Sequence, residues 1–396
     1  MASAQGINKL LIAKKESTWG TKASASGANY YRRVTGSFQL EKDTYNSNEI
    51  LPSQQMRDMR HGTRRSTGSL SGELSGNAYE EFIQAAVRKD FDTGATTGAL
   101  IVLSSTATTI ARSTGSFVAD GFNVGSVISV SGFTDAGNNG LFVITSMTTT
   151  ALTVSALAGQ TRTIEAAGDT VTVLEKGKKT YTPLTNHTDD SFTFEEYYQD
   201  TGVSRTFLGE QVDTMTVALQ PNAMATIDFG FLGKDAEPAT DTAYFTSPTA
   251  ISGEGIYSAP DGKLFINGVA SGVVTGLNIT LSNNIQQTPV IGSNSIGAKS
   301  RGKVAVTIDG SAIFQDKTVL NYFDDESEIS ITYVLNSADN TEAFSIHLPR
   351  VKIGSASTND GENVIILSFS GVALEYVGSG VGVQKTTIQV QDTTLA

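Results

Sequence analysis

Three histidines, a cluster of arginines and a set of carboxylates in strand-patterned segments are the side chains of this chain with chemistry to offer. His61, His187 and His347 are too far apart in sequence for a metal motif, and none accompanies a nucleophile elbow. Structural or solvated roles are expected for all three. Cysteine is absent, which removes thiol catalysis, disulfides and cysteine-based zinc sites. The glycines Gly378, Gly380 and Gly382 have no following helix to receive a phosphate, so they read as a flexible joint to the tail. Asp324, Asp325 and Glu326 lack the central glycine and ligand spacing of a calcium loop. No active site emerges, and no metal or cofactor is expected.

The basic cluster Arg57, Arg60, His61, Arg64 and Arg65 is the strongest local charge feature. Nucleic acid would suit its sign, but aromatic residues are not interleaved with it. The whole chain carries 28 Lys+Arg against 40 Asp+Glu, a net −12, which opposes phosphate binding. A protein contact surface is the better reading, with these arginines pairing to acidic residues of a neighbour.

The elements that must position these groups are mostly strands. Ile227, Phe229 and Phe231 alternate with Asp228 and Gly230; Leu277, Ile279 and Leu281 alternate with Asn278, Thr280 and Ser282. Val304, Val306 and Ile308 alternate with Ala305, Thr307 and Asp309. A period of two marks sheets with one dry face and one polar face. One helix is expected from Asn77, with Tyr79, Phe82, Ile83, Ala86 and Val87 on one stripe and Asn77 with Glu80 as a capping box. A weaker one is expected from Asp316 through Phe323.

These elements recur in order. Strand 34–41, the long loop 43–65, a Gly-rich strand to Leu74, a Gly76 turn and a helix are followed later by strand 276–281, loop 283–300, a strand to Ile308, a Gly310 turn and a helix. Leu74 and Gly76 are aligned with Ile308 and Gly310. Between the copies, residues 92–175 are rich in Thr, Ser, Gly and Ala and read as a small β-domain, with flexible joints at Thr93–Gly94 and 176–178. The expected division is 1–91 with 176–250 as the first unit, 92–175 as the insert, and 251–396 as the second unit. No signal-peptide pattern and no apolar run of membrane-spanning length occurs.

The stretch Lys15, Glu16, Ser17, Thr18, Trp19, Gly20, Thr21 resembles the start of tail tube (major tail) proteins of long-tailed bacteriophages. So does the strand–long loop–strand–helix unit, and 211–217 followed by 223–234 ending in Phe-Gly-Phe-Leu-Gly-Lys. The resemblance implies a mainly β fold of duplicated tail-tube sandwich or barrel units, each with one helix, plus the inserted small β-domain. It implies a structural virion protein, not an enzyme, made in the host bacterial cytoplasm and residing in the tail. Rings would stack into a tube whose lumen conducts DNA during ejection without binding it specifically, and without a membrane partner. Partners would be other copies of the chain, as trimeric rings of pseudo-six-fold symmetry or plain hexamers, and the tail tip, tape measure and tail terminator proteins. Candidate lumen residues are Glu41, Glu73, Asp228 and Asp309. Candidate ring-stacking residues in the long loops are Ile50, Pro52, Arg57, Arg60, Arg64, Pro289 and Ile291. Two other classes stay open: a secreted or surface β-sandwich adhesin, and a carbohydrate-processing β-enzyme, which needs paired carboxylates in a cleft.

Overall fold

A computed structural model describes residues 3–97, 102–167, 170–250, 255–360 and 362–396. The expected boundary at 250/251 abuts residues 251–254, which lie outside the described residues, as do 98–101 and 168–169 of the expected insert. The protein is mainly β, with several sheets and, among the described residues, two α-helices. In chain order the elements used below are β1 (Lys9–Lys15), β2 (Thr35–Asn46), β3 (Met59–Glu73), α1 (Glu80–Val87), β4 (Phe192–Tyr198), β5 (Val203–Leu219), β6 (Thr226–Gly233) and β7 (Gly262–Ile266). They continue with β8 (Val274–Ser282), β9 (Ala305–Ile313), α2 (Thr318–Asp324), β10 (Glu328–Asn336), β11 (Ala343–Thr358), β12 (Ile366–Ala373) and β13 (Gln389–Asp392).

Eight strands form one continuous antiparallel ladder in the order β2, β3, β6, β5, β8, β9, β12, β11. The last four strands repeat the order of the first four. A second layer repeats too: β1 pairs β4, which pairs the first half of β5, while β7 pairs β10, which pairs the first half of β11. Even the irregularities recur. β5 slips against β6 between Val212 and Thr214, and β11 slips against β12 between Ile353 and Ser355. β4 slips against β5 between Phe192 and Phe194, and β10 against β11 between Ile329 and Ile331. Such bulges are specific features of a strand pair, so four in matching places tie the two halves residue by residue. The ladder aligns Leu70 with Gly310 and Gly68 with Ile308, which corrects the alignment expected from Leu74 and Gly76.

The period of two is realised as two faces. Ile227, Phe229, Phe231, Ile279 and Ile308 are buried. Their core also takes the apolar stripe of α1: Phe82 meets Phe192, Phe194, Phe229 and Phe231 at ring-centroid distances of 5.1 to 5.6 Å. β3 is glycine-rich because rings lie over it. A Cβ on Gly68 would sit 2.0 Å from the Phe38 ring, and one on Gly72 would sit 1.8 Å from the Tyr79 hydroxyl.

The start of α1 differs from the expected capping box. The helix begins at Glu80, and Asn77 lies outside it with φ 56°. The Asn77 N–H donates to Asp392 Oδ2 at 2.8 Å, so Asn77 shapes the turn before the helix; asparagine tolerates this left-handed region. The segment beyond the joint expected at Gly378, Gly380 and Gly382 is part of the fold. β13, beyond the glycines, is buried between residues 178–181 and β11, and Gly382 O accepts the Val124 N–H at 2.9 Å.

Residues 103–175 contain a separate six-stranded sheet with its own core, including Phe117, Phe122, Phe142 and Leu152. Its other face, at Val127, Leu141, Val143 and Leu157, packs on Phe265, Val334 and Ala343 of β7, β10 and β11. Its joints are paired, where loose ones were expected: Thr93 is opposite Lys178, and Gly94 N–H donates to Gly177 O at 3.3 Å.

Candidate assembly surface

The non-core face of the eight-stranded ladder is mostly polar across its width, with Ala218 and Val372 as exceptions. One row across it reads Glu73, Thr226, Ala218, Asn278, Asp309, Ser370, Ser355. The next reads Thr35, Ser71, Asp228, Thr216, Thr280, Thr307, Val372, Lys352. Alternation along each strand forces these residues to the side opposite the core. The structure thus places Glu73, Asp228 and Asp309 on one face of one sheet, with Glu41 further along β2 on the same face. Arg65 and Lys352, which reach its ends, are each paired with carboxylates: Arg65 with Glu41 at 3.0 Å and Asp43 at 3.4 Å, Lys352 with Glu326 at 2.7 Å. The hydroxyl character of the face, carried by Ser and Thr from all eight strands, is a feature that the sequence reading passed over. Its signal was the Ser/Thr content of the polar positions in each alternating run.

Both long loops extend as hairpins from the same side of the ladder. One is formed by the far ends of β2 and β3; the other is Ile285–Pro289 paired with Ile296–Arg301. They touch: Arg64 N–H donates to Asn294 O at 2.9 Å. Ile50, Pro52 and Ile291 are exposed at the tips, and Pro289 is exposed beside them. The second hairpin is tied at its base by Lys299 and Arg301 to Asp189 at 2.7 and 3.0 Å.

Within the chain the arginines have acidic partners. Arg57 pairs with Glu49 at 3.5 Å and Arg60 with Asp58 at 2.8 Å, all four side chains being well exposed. Arg64 reaches Asp235 at 2.7 Å, where the carboxylate is largely covered. Arg64 is thus committed to its own fold, whereas Arg57 and Arg60 hold weak surface pairs that another partner can replace.

The opening motif works inside the molecule. Glu16 is buried and accepts from Ser191 Oγ (2.8 Å), Thr193 Oγ1 (2.9 Å), Gly20 N–H (2.8 Å) and Gly209 N–H (2.8 Å). Trp19 Nε1 donates to Gly209 O at 3.0 Å. The histidines are dispersed: His61 and His187 are exposed, and His347 is buried with Nδ1 2.8 Å from Thr332 Oγ1. Burial holds the His347 imidazole at a pKa of about 4, so it stays neutral near pH 7. No group of three or more His, Cys, Asp or Glu suited to a metal occurs among the described residues.

A sequence family described as phage tail tube protein matches residues 6–373 of the chain. No curated protein matches it.

Proposed function

The chain belongs to the phage tail tube protein family, and from that premise we propose that its eight-stranded ladder forms one third of the wall of a closed ring, with the hydroxyl-and-carboxylate face turned to the lumen. Membership makes it a structural protein of the virion tail that self-assembles into a tube and associates with other tail proteins. Three copies, each supplying two equivalent four-stranded units, complete a ring of pseudo-six-fold symmetry, since soluble oligomers close point groups. Rings stack through the two adjacent hairpins, with Ile50, Pro52, Arg57, Arg60, Pro289 and Ile291 at the junction. The tail tip, tape measure and tail terminator proteins meet the tube at its ends and within it.

The observation that carries this reading is the polar face itself. Duplex DNA presents one charge about every 1.7 Å, and a lining with free lysines or arginines would hold it. A face of serine, threonine, asparagine and carboxylates, with Arg65 and Lys352 at its ends held in ion pairs, lets DNA pass. Such a face also needs no enzyme chemistry, in keeping with a structural role.

Negative-stain electron microscopy of concentrated protein tests it. Rings or tubes with a central pore and three peripheral knobs of insert size are the expected result. Six knobs per ring replace the trimer by a hexamer, and an absence of rings even with seeds from tail tips removes the reading.

A further inference from the structure

Among the described residues the ladder ends in two unpaired strand edges, and the chain contains a worked example of how such edges meet. β5, the last strand of the first four, pairs through its second half with β8, the first strand of the next four: Thr214 with Ser282, Met215 with Leu281, Thr216 with Thr280, Val217 with Ile279, Ala218 with Asn278 and Leu219 with Leu277. The strand equivalent to β5 is β11, whose second half pairs β12 on one side only. The strand equivalent to β8 is β2, which pairs β3 on one side only. The matched bulges set Thr214 equal to Ser355. The matched ladders set Thr35 equal to Gly276, through Ser71 and Ser311.

From these equivalences we infer that the β11 edge of one copy pairs antiparallel with the β2 edge of the next in the register of the internal joint. Ser355 then lies opposite Glu41, Ala356 opposite Leu40, Ser357 opposite Gln39 and Thr358 opposite Phe38, with Asn359 and Asp360 continuing against Ser37 and Gly36. This names the contact within the ring proposed above and rests on that reading.

A second observation concerns what covers the β2 edge in a single copy. Backbone groups of alternate residues point to the same side of a strand. Those of Gly36 and Phe38 point away from β3, because Lys9 Nζ donates to Gly36 O at 2.9 Å and Phe38 N–H donates to Glu196 Oε1 at 2.9 Å. Lys9 and Glu196 are 2.6 Å apart and largely buried. The same edge positions in the second unit, Leu277 and Ile279, are opposite Leu219 and Val217 of β5. There the places of Lys9 and Glu196 are taken by Gly262 and Tyr333, since Leu11 lies opposite Glu196 as Leu264 lies opposite Tyr333. An ion pair therefore sits at the edge without a neighbour, and none sits at the edge with one. Charged side chains turned onto an edge are a recognised guard against wrong pairing. The Lys9–Glu196 pair holds the β2 edge until the β11 edge of the next copy displaces it.

The test uses the absence of cysteine in the chain. Gln39 and Ser357 are exposed, and the inferred register sets them opposite each other with the side chains on one face, at a separation that a disulfide can span. In the full-length Gln39→Cys/Ser357→Cys variant, oxidation after assembly is expected to give covalent dimers and trimers on a non-reducing gel. Gln39→Cys/Ser355→Cys, one pleat out of register, is expected to crosslink at least tenfold more slowly. A mass measurement on the same samples separates two failures. Assembled protein that crosslinks better in the shifted pair overturns the register alone. Protein that stays monomeric under all assembly conditions overturns the ring reading with it.

Discussion

Glu16 and Gly209 are 193 residues apart in sequence and joined by a 2.8 Å hydrogen bond from the Gly209 N–H to the buried Glu16 carboxylate. Trp19 takes the other backbone group of the same glycine. Gly209 has φ +72° and lies where β5 slips past β4 on its way to the long ladder. The N-terminal motif therefore acts as a latch on the strand that serves both layers.

Gly209→Ala is expected to cost about 1–3 kcal/mol, the range for a left-handed non-glycine residue. The added Cβ would also meet Trp19 Nε1 at 2.9 Å. A thermal melt followed by far-UV circular dichroism should show Tm falling by several degrees. An unchanged Tm would mean that β5 is not held at this point.

Glu210, next in the chain, is buried where the equivalent residue of the second unit is Val351. Burial, aided by the Glu16 carboxylate and opposed by the Ser66 hydroxyl, pushes its pKa up to about 8. An unfolded glutamate titrates near 4.3, so between that pH and 8 the folded chain holds a proton that the unfolded one has lost. Stability should then fall as pH rises through this window, by up to about 1.4 kcal/mol per pH unit, and level off above it. Glu210→Gln should flatten the profile of Tm against pH between 5 and 8. Identical slopes in parent and variant would show that this carboxyl does not set the dependence.

Arg57 and Arg60 hold only exposed pairs, worth about 0–1 kcal/mol each. Reversing both to Glu is expected to leave Tm within about 1 °C of the parent and to abolish tube growth, scored by electron microscopy. Arg64→Glu should lower Tm instead, because it sets a second carboxylate beside the largely covered Asp235. Normal tubes from the double reversal would remove these arginines from the stacking contact.

Asp228→Lys with Asp309→Lys places cations in the two polar rows of the ladder. Rings of this variant are expected to bind a short fluorescent duplex in about 50 mM salt. With six to ten phosphate contacts, binding should weaken by about 10³-fold or more at 200 mM. Anisotropy reads this directly. The parent should show no binding at either salt, and equal behaviour of the two proteins would place these residues away from the DNA path.

Much of the local structure was legible because it depends on neighbours in sequence. The alternation at 227–231 and 277–281 requires strands with one dry face, and Phe82 with its stripe requires a helix against that face. The repeat was legible as an order of elements, although its alignment was six residues out, since glycines and turns were matched without knowing which strands pair. Asn77 misled because an asparagine before a helix suits a cap and a left-handed turn equally, and the choice fell to Asp392 at the far end of the chain.

What tertiary structure alone decided is which edges meet. The joint of β5 to β8 is a register between residues 58 to 68 positions apart in sequence, and no local pattern encodes it. The same holds for the partners of the arginines: Arg64 looked free in sequence because Asp235 comes 171 residues later. Composition, periodicity and the order of elements are sums over near neighbours, so sequence by itself determined that this is a duplicated β protein with a polar face. Register, ion pairing and the matched bulges depend on contacts whose closure in space is set by the whole core.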